Sequence, residues 1–176
     1  TSEIATVQRR LDAPGTRDVE VLTLHGRQGA DRQQAGLCPG SRRRVVLATA
    51  VAESSLTVPG VRVVVDAGLS REPRLDLARG LGSLVTVRVS RAGADQRAGR
   101  AGRQGPGTVY RCWSAGDHDR LPDRPQPEIA CADLTGFALA LACWGVPDGA
   151  GLALMDQPPA SAVEVAGSTL RWLGAV

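Results

Sequence analysis

The segment VVLATAVAESSLTVPGVRVVVDAG, residues 45–68, contains two apolar runs separated by a more polar loop. The runs, residues 45–48 and 61–65, are rich in valine and show little alternation of apolar and polar residues. Such runs are typical of parallel strands that are covered on both faces. A similar run, residues 19–24, ends at His25 and Gly26. The three runs predict an α/β fold with a parallel sheet, whose functional groups lie in the loops at the carboxyl ends of the strands.

On the carboxyl side of this segment the pattern changes. Residues 84–90 alternate, with valines on one side and Thr86, Arg88 and Ser90 on the other, and a glycine-containing turn at 79–82 precedes them. This pattern predicts a β-hairpin over residues 71–90 that projects from the domain. Residues 108–113 predict a further strand, and the polar residues 27–34 predict a short helix.

A proline-rich stretch begins at Pro122, and it favours a domain boundary nearby. We therefore expect one domain at residues 1–117 and the start of another at 118–176. In the second region Leu134, Phe137, Leu141 and Trp144 follow helical spacing, with Asp133 as N-cap, and residues 163–173 repeat the pattern. This spacing predicts that the helix bearing Trp144 packs in a core, in preference to offering a platform for stacked bases.

All 21 basic residues among the 176 are arginine, and the net charge is +3. A chain without lysine cannot contain a P-loop of the form GxxxxGK[ST], nor can it use lysine chemistry. The irregular spacing of the four cysteines gives no zinc pattern, so we predict reduced thiols and no metal site. No apolar run approaches the roughly 18 residues of a membrane span, which leads us to expect a cytoplasmic protein without membrane contact.

The octamer QRAGRAGR, residues 96–103, is the other informative stretch. If it is helical, Gln96, Arg100 and Arg103 lie on one face. Gly99 and Gly102 each weaken such a helix by about 1 kcal/mol relative to alanine, which predicts that something approaches the backbone closely there. Because guanidinium groups bind phosphoryl oxygens through two parallel hydrogen bonds, a phosphate is the natural candidate. A solvated basic helix or an RNA-binding arginine patch is the alternative.

Together these stretches carry a family resemblance. Residues 45–58 resemble motif V of the DEAH/RHA helicases of superfamily 2, and residues 96–103 match their motif VI. The LxxLHG-like residues 21–26 and the hairpin between the two motifs agree with that family. The resemblance extends over essentially the whole chain. It implies the second RecA-like domain, which has no P-loop of its own, without its first strand and followed by part of a helical winged-helix region. The chain would then be a fragment of a longer protein.

The resemblance implies that ATP binds between this domain and a first RecA-like domain of the same protein, which would hold the Mg²⁺ ion. Arg100 and Arg103 correspond to arginine fingers for ATP hydrolysis, and Gln96 corresponds to a residue that positions the phosphate or the attacking water. Ser55 and Thr57 match residues of the family that lie near the nucleotide.

The resemblance also implies that single-stranded nucleic acid is a partner, with RNA as the leading expectation and DNA left open. The residues expected to contact it are His25, Gly26 and Thr49 at the strand ends, and Arg71, Arg74 and Arg88 on the hairpin. Ala50 and Pro59 replace an asparagine and an acidic residue of the family pattern. These two departures leave a second hypothesis open, in which the domain is a non-catalytic module that binds nucleic acid or protein.

Overall fold

Short strands alternate with helices along most of the chain. The computed structural model describes residues 2–12, 18–26, 28–38, 40–53, 57–76 and 81–176. In chain order the helices and strands are α1 (Ser2–Leu11), β1 (Val19–Leu24), α2 (Ala30–Leu37), β2 (Arg43–Ala48), β3 (Val63–Asp66), β4 (Leu69–Asp76), β5 (Leu81–Arg88), α3 (Arg91–Ala101), β6 (Thr108–Arg111), α4 (Ala115–Asp119), α5 (Thr135–Cys143) and α6 (Ala160–Trp172).

The first two strands form a parallel pair. Their register places Val19 opposite Arg43 and Leu24 opposite Ala48. Helix α1 contacts both strands and α2 contacts β1. Because the strands are parallel and in register, their carboxyl ends meet at one edge, where the N–H of Thr49 donates to the carbonyl oxygen of Leu24 at 3.1 Å.

A second parallel pair is formed by β3 and β6, with Asp66 opposite Arg111, and α3 packs against both strands. The predicted α/β class with parallel strands is thus confirmed, although the described strands form separate two-stranded sheets. We also expected both faces of β3 to be covered by other parts of the protein. Within the described chain this expectation was wrong. Val63 and Val65 are 55% and 68% exposed.

The strands of the predicted hairpin, β4 and β5, pair with each other. Val85 and Val87 are half-buried while Thr86 and Arg88 are exposed, as the alternation of the sequence predicts. Residues 77–80 lie outside the described residues and include half of the predicted turn at 79–82, while the other half, Leu81 and Gly82, belongs to β5.

The chain divides into two units, each with its own apolar core. The first unit comprises Thr1–Leu69 and Arg88–Arg124, and the second comprises Ser70–Val87 and Pro125–Val176. Val89, Ala94 and Leu121 form a core of the first unit, with Trp113 packed against them. The core of the second unit lies between α5 and α6 and is made of Leu134, Ala138, Ala162, Ala166 and Leu170.

Two local predictions need correction. The short helix predicted at residues 27–34 begins at Ala30, because Gly29 has an extended backbone conformation and forms its N-cap. The prediction that Trp144 packs in a core was wrong, since its side chain is 77% exposed. Helix α5 ends at Cys143 and Trp144 is its C-cap, so the apolar face that carries Leu134 and Leu141 does not continue to the tryptophan.

Candidate functional site

Helix α3 carries most of the arginine-rich octamer, and its amino end is bonded within the protein. The hydroxyl of Ser90 accepts a hydrogen bond from the N–H of Gly93 at 3.1 Å. The N–H of Arg91 donates to the carbonyl oxygen of Pro122 at 2.8 Å. Since these contacts satisfy N–H groups of the first turn, the groups still able to bind an external ligand lie towards the other end of the helix.

The most enclosed arginine of the octamer is Arg97, whose side chain is 17% exposed. Its Nε donates to Glu53 Oε2 at 2.8 Å and its Nη1 donates to Asp66 Oδ1 at 2.9 Å. Nη1 also donates to the carbonyl oxygen of Leu69 at 3.0 Å. Burial alone would lower the pKa of Arg97, but the hydrogen bonds and charges of Glu53 and Asp66 outweigh it and raise that pKa. Arg97 therefore ties α3 to the loop after β2 and to the end of β3.

Arg100 and Arg103 converge on one hydroxyl group. Arg100 donates through Nε (3.1 Å) and Nη2 to the carbonyl oxygen of Glu53, and its Nη1 lies 3.4 Å from Thr57 Oγ1. Arg103 Nη1 donates to the same Thr57 oxygen at 3.0 Å. The expectation that Gln96, Arg100 and Arg103 share one helical face was wrong for Arg103. Helix α3 ends at Ala101, so Arg103 follows the helix and reaches Thr57 from the turn.

Gln96 is exposed on α3, one turn before Arg100. Gly99 and Gly102 face open space, because a Cβ atom added at either would meet no atom within 4 Å. No part of the described chain therefore makes the close approach that these glycines predict, and the backbone there is accessible from outside. Ser55 lies outside the described residues. Of the predicted nucleotide-contacting residues, the structure thus brings Arg100, Arg103 and Thr57 together.

The carboxyl ends of β1 and β2 bring His25, Gly26 and Thr49 to one edge. Gln28 organises the loop after β1, since its Oε1 accepts from the N–H of His25 at 3.0 Å and its Nε2 donates to Thr23 Oγ1 at 2.6 Å. Thr49 is exposed and its side chain makes no capping bond to the short 3₁₀ helix that follows it. A Cβ added at Gly26 would meet open space. A hydroxyl and an accessible backbone therefore adjoin each other at this edge.

The three arginines predicted on the hairpin belong to two different units. Arg88, at the end of β5, lies in the first unit and forms an ion pair with Asp117 at 3.6 Å. Arg74, on β4, lies in the second unit and binds Glu72 at 3.0 Å and Gln126 at 2.8 Å. Arg71 is exposed on β4. The acidic partners of Arg74 and Arg88 reduce the charge that these two side chains can offer to a polyanion.

Sequence reasoning assigned no role to Arg97. Two signals could have revealed it. Asp66 is the last residue of β3, and Glu53 follows β2, the preceding strand along the chain. Such carboxylates need a cation once they are enclosed. Among the described residues no group of three or more His, Cys, Asp or Glu side chains could hold a metal ion, and no helix is long and apolar enough to cross a membrane.

Comparison with known proteins supplies the family. The model of the helicase conserved C-terminal domain matches residues 2–105. The ATP-dependent RNA helicase HrpB of Escherichia coli (strain K12) is 39% identical over 176 residues, which cover 99% of this chain and 22% of that protein. The ATP-dependent RNA helicase DHX33 of Drosophila melanogaster is 37% identical over 169 residues, covering 95% of this chain and 24% of the relative.

The crystal structure of the Escherichia coli DEAH/RHA helicase HrpB has the same fold, with a TM-score of 0.93 at 39% sequence identity. The match covers 100% of this chain and 23% of that chain, so the present chain spans about a quarter of the length of these relatives. The matched residues 2–105 include β1, β2, β3 and the whole octamer, and they end before β6. The chain therefore belongs to the helicase conserved C-terminal domain family, in the form that DEAH/RHA helicases carry.

Proposed function

We propose that this chain is the second RecA-like half of an ATP-dependent RNA helicase, and that it contributes arginine fingers to ATP hydrolysis. The observation that carries the proposal is the convergence of Arg100 and Arg103 on Thr57 Oγ1. Two guanidinium groups on one small acceptor form a compact positive site. Positive charge of this kind stabilises the negative charge that spreads over the phosphoryl oxygens during phosphoryl transfer.

The surroundings of the arginines fit a nucleotide phosphate. Gly99 and Gly102 leave the adjoining backbone open, so a partner surface can approach there without meeting side chains. Arg103 and Thr57 are exposed, and Gln96 lies exposed one turn before Arg100. Gln96, Arg100, Arg103 and Thr57 would act on the γ-phosphate of ATP, and the resemblance to DEAH/RHA helicases assigns Ser55 to the same nucleotide site. Without lysine the chain has no P-loop of its own, and on the resemblance to DEAH/RHA helicases the phosphate cradle and the Mg²⁺ ligands would belong to a first RecA-like domain. When bound there, Mg²⁺ neutralises phosphate charge.

We further propose that the edge formed by β1 and β2 binds the backbone of single-stranded RNA. The exposed Thr49 hydroxyl and the open backbone at Gly26 suit phosphate contacts, which fix a strand in place without reading its sequence. His25, which follows β1 at the same edge, would take part through its ring. Arg71, Arg74 and Arg88 would contribute long-range attraction from the hairpin.

Two structural assignments belong to the same proposal. One is a boundary at residue 117/118 between the RecA-like domain and the start of a winged-helix region. The other is a hairpin over residues 71–90 that projects from the domain. Both follow from the resemblance to DEAH/RHA helicases, and the pairing of β4 and β5 supports the hairpin.

The deciding experiment measures ATP hydrolysis by the full-length protein that contains this chain, with single-stranded RNA present. Arg100→Ala and Arg103→Ala should each lower kcat by about 10³-fold or more, because each removes charge stabilisation from the transition state. Arg120→Ala is the matched control, since Arg120 is exposed and, among the described residues, its side chain pairs with Asp117 three positions earlier. Unchanged kcat in both finger variants would reject the proposal.

The isolated 176 residues should not hydrolyse ATP, because they contain no lysine for a P-loop. Hydrolysis by the isolated chain that disappears in Arg103→Ala would contradict the proposal that the phosphate cradle lies on a first RecA-like domain. The non-catalytic module remains the competing function, and the departures at Ala50 and Pro59 are the observations in its favour. It predicts RNA binding by the full-length protein with no hydrolysis. Parallel assays with single-stranded DNA test the choice of RNA.

A further inference from the structure

Glu53, which has no role in the proposed function, links the enclosed Arg97 to Arg100. Glu53 binds two arginines with different atoms. Its carboxylate accepts from Arg97 Nε at 2.8 Å, and its main-chain carbonyl oxygen accepts from Arg100 Nε at 3.1 Å. A displacement of Glu53 therefore moves the group that orients Arg100.

The position of Glu53 is fixed from the side of Arg97. The guanidinium of Arg97 bonds Glu53 with one nitrogen and Asp66 with another, and the Asp66 side chain is 3% exposed. Asp66 is itself held, because its Oδ1 accepts from the N–H of Gly68 at 2.9 Å. Arg97 can join the two carboxylates because its planar fork presents nitrogens in fixed directions. An ammonium group on a flexible stem cannot reproduce this geometry.

Helix α3 comes close enough for this link because Gly93 has no side chain. A Cβ at Gly93 would lie 3.1 Å from Val89 Cγ2 and 3.4 Å from Glu53 Oε1. The first of these distances is tighter than ordinary van der Waals contact, so a side chain there would press α3 away from its neighbours. The first turn of α3 and the carboxylate of Glu53 are thus in direct apposition.

We propose that Arg97 is a positioning residue for Arg100, acting through Glu53, and that it sets the rate of phosphoryl transfer while leaving ATP affinity unchanged. This inference rests on the proposed function, because it requires that Arg100 act on the phosphate. The competing interpretation is that Arg97 only stabilises the fold. The two differ in whether the effect of changing Arg97 depends on Arg100.

The test compares Arg97→Lys with wild type in the full-length protein, alone and combined with Arg100→Ala, in single-turnover ATP hydrolysis. Lysine keeps the positive charge next to Asp66 and loses the second arm to Glu53. The expected result is a fall in the rate constant on the order of 10- to 100-fold with unchanged KM for ATP. In the Arg100→Ala background the same substitution should have no further effect. Arg91→Lys is the control on the same helix, since Arg91 pairs with Asp123, which is 82% exposed.

Each result bears on the inference. An equal loss of rate with and without Arg100, a raised KM alone, or no loss at all would overturn it. If Arg97→Lys does not fold, Glu53→Gln decides, because it weakens the bond to Arg97 and keeps the carbonyl group. Unchanged hydrolysis in Glu53→Gln would also overturn the inference. A full rate in Arg100→Ala itself would instead reject the proposed function, so the two failures are distinguishable.

Discussion

Gly68 follows β3, the strand that ends at Asp66. Both its backbone conformation and the nearby side chain of Trp113 require glycine at this position. Its φ angle is +73°, a left-handed conformation that costs other residues about 1–2 kcal/mol. A Cβ there would lie 2.7 Å from Trp113 Cε3. The same residue donates its N–H to Asp66, so its conformation also affects the carboxylate that binds Arg97.

We expect Gly68→Ala to lower the free energy of unfolding by roughly 2–4 kcal/mol, through backbone strain together with displacement of the tryptophan. Urea denaturation followed by tryptophan fluorescence measures this change. Gly60→Ala is the matched control, because Gly60 has a φ angle of +76° but open space around its Cβ position. It should cost only about 1–2 kcal/mol. Equal losses in the two variants would contradict the proposed clash with Trp113.

At the scale of elements, the sequence predicts the strands well and the helix ends poorly. The valine-rich runs predict β1, β2 and β3 to within two residues, because the β-propensity of branched side chains acts locally on each run. The ends of α2 and α5 depend on a single cap conformation, at Gly29 and Trp144, which periodicity does not reveal.

The candidate site was also predicted only in part. The octamer predicts that Arg100 serves as a binding group, but the helix stops at Ala101 and Arg103 therefore reaches Thr57 from a turn. The interaction of Arg97 with Glu53 and Asp66 joins residues 44 and 31 positions apart. Such long-range pairing arises from tertiary packing, and a single sequence does not reveal it.

The capping of α3 gives a test at this scale. Ser90→Ala should lower the free energy of unfolding by about 1–2 kcal/mol, because the N–H of Gly93 then loses its acceptor in a buried position. Ser114→Ala is the control, since Ser114 caps the five-residue helix α4 with the same 3.1 Å bond at an exposed position. It should cost less than Ser90→Ala in thermal or urea denaturation. The reverse order would show that burial does not set the value of these caps.

At the scale of the whole chain, the two units have separate cores. Leu170 is 3% exposed and belongs to the core between α5 and α6, whereas Val89, Ala94 and Leu121 form a core of the first unit. Because stability is distributed over such cooperative regions, a cavity in one core is expected to open that region first. The region that opens first can therefore be identified separately from the change in the free energy of global unfolding.

We expect Leu170→Ala to lower the free energy of unfolding by about 2–5 kcal/mol, the usual range when a buried leucine is replaced and a cavity is left. Amide hydrogen exchange should lose protection mainly in α5 and α6, with β1 and β2 little affected. Leu173→Ala is the control in the same region, because Leu173 is exposed. It should change stability by less than about 0.5 kcal/mol. Equal loss of protection throughout the chain would indicate a single cooperative region.

The shared hydroxyl of Thr57 has a consequence for the entropy of ligand binding. Arg100 and Arg103 are long side chains, and immobilising each free one on a ligand costs roughly 0.5–1.5 kcal/mol. Here both already donate to Thr57 Oγ1. On the proposed role, a phosphate would replace one acceptor with another, and the loss of rotamer freedom would largely precede its arrival. The affinity of the site for an anion would then depend on whether the anion places an oxygen atom where Thr57 Oγ1 lies, and not on the charge of the anion alone.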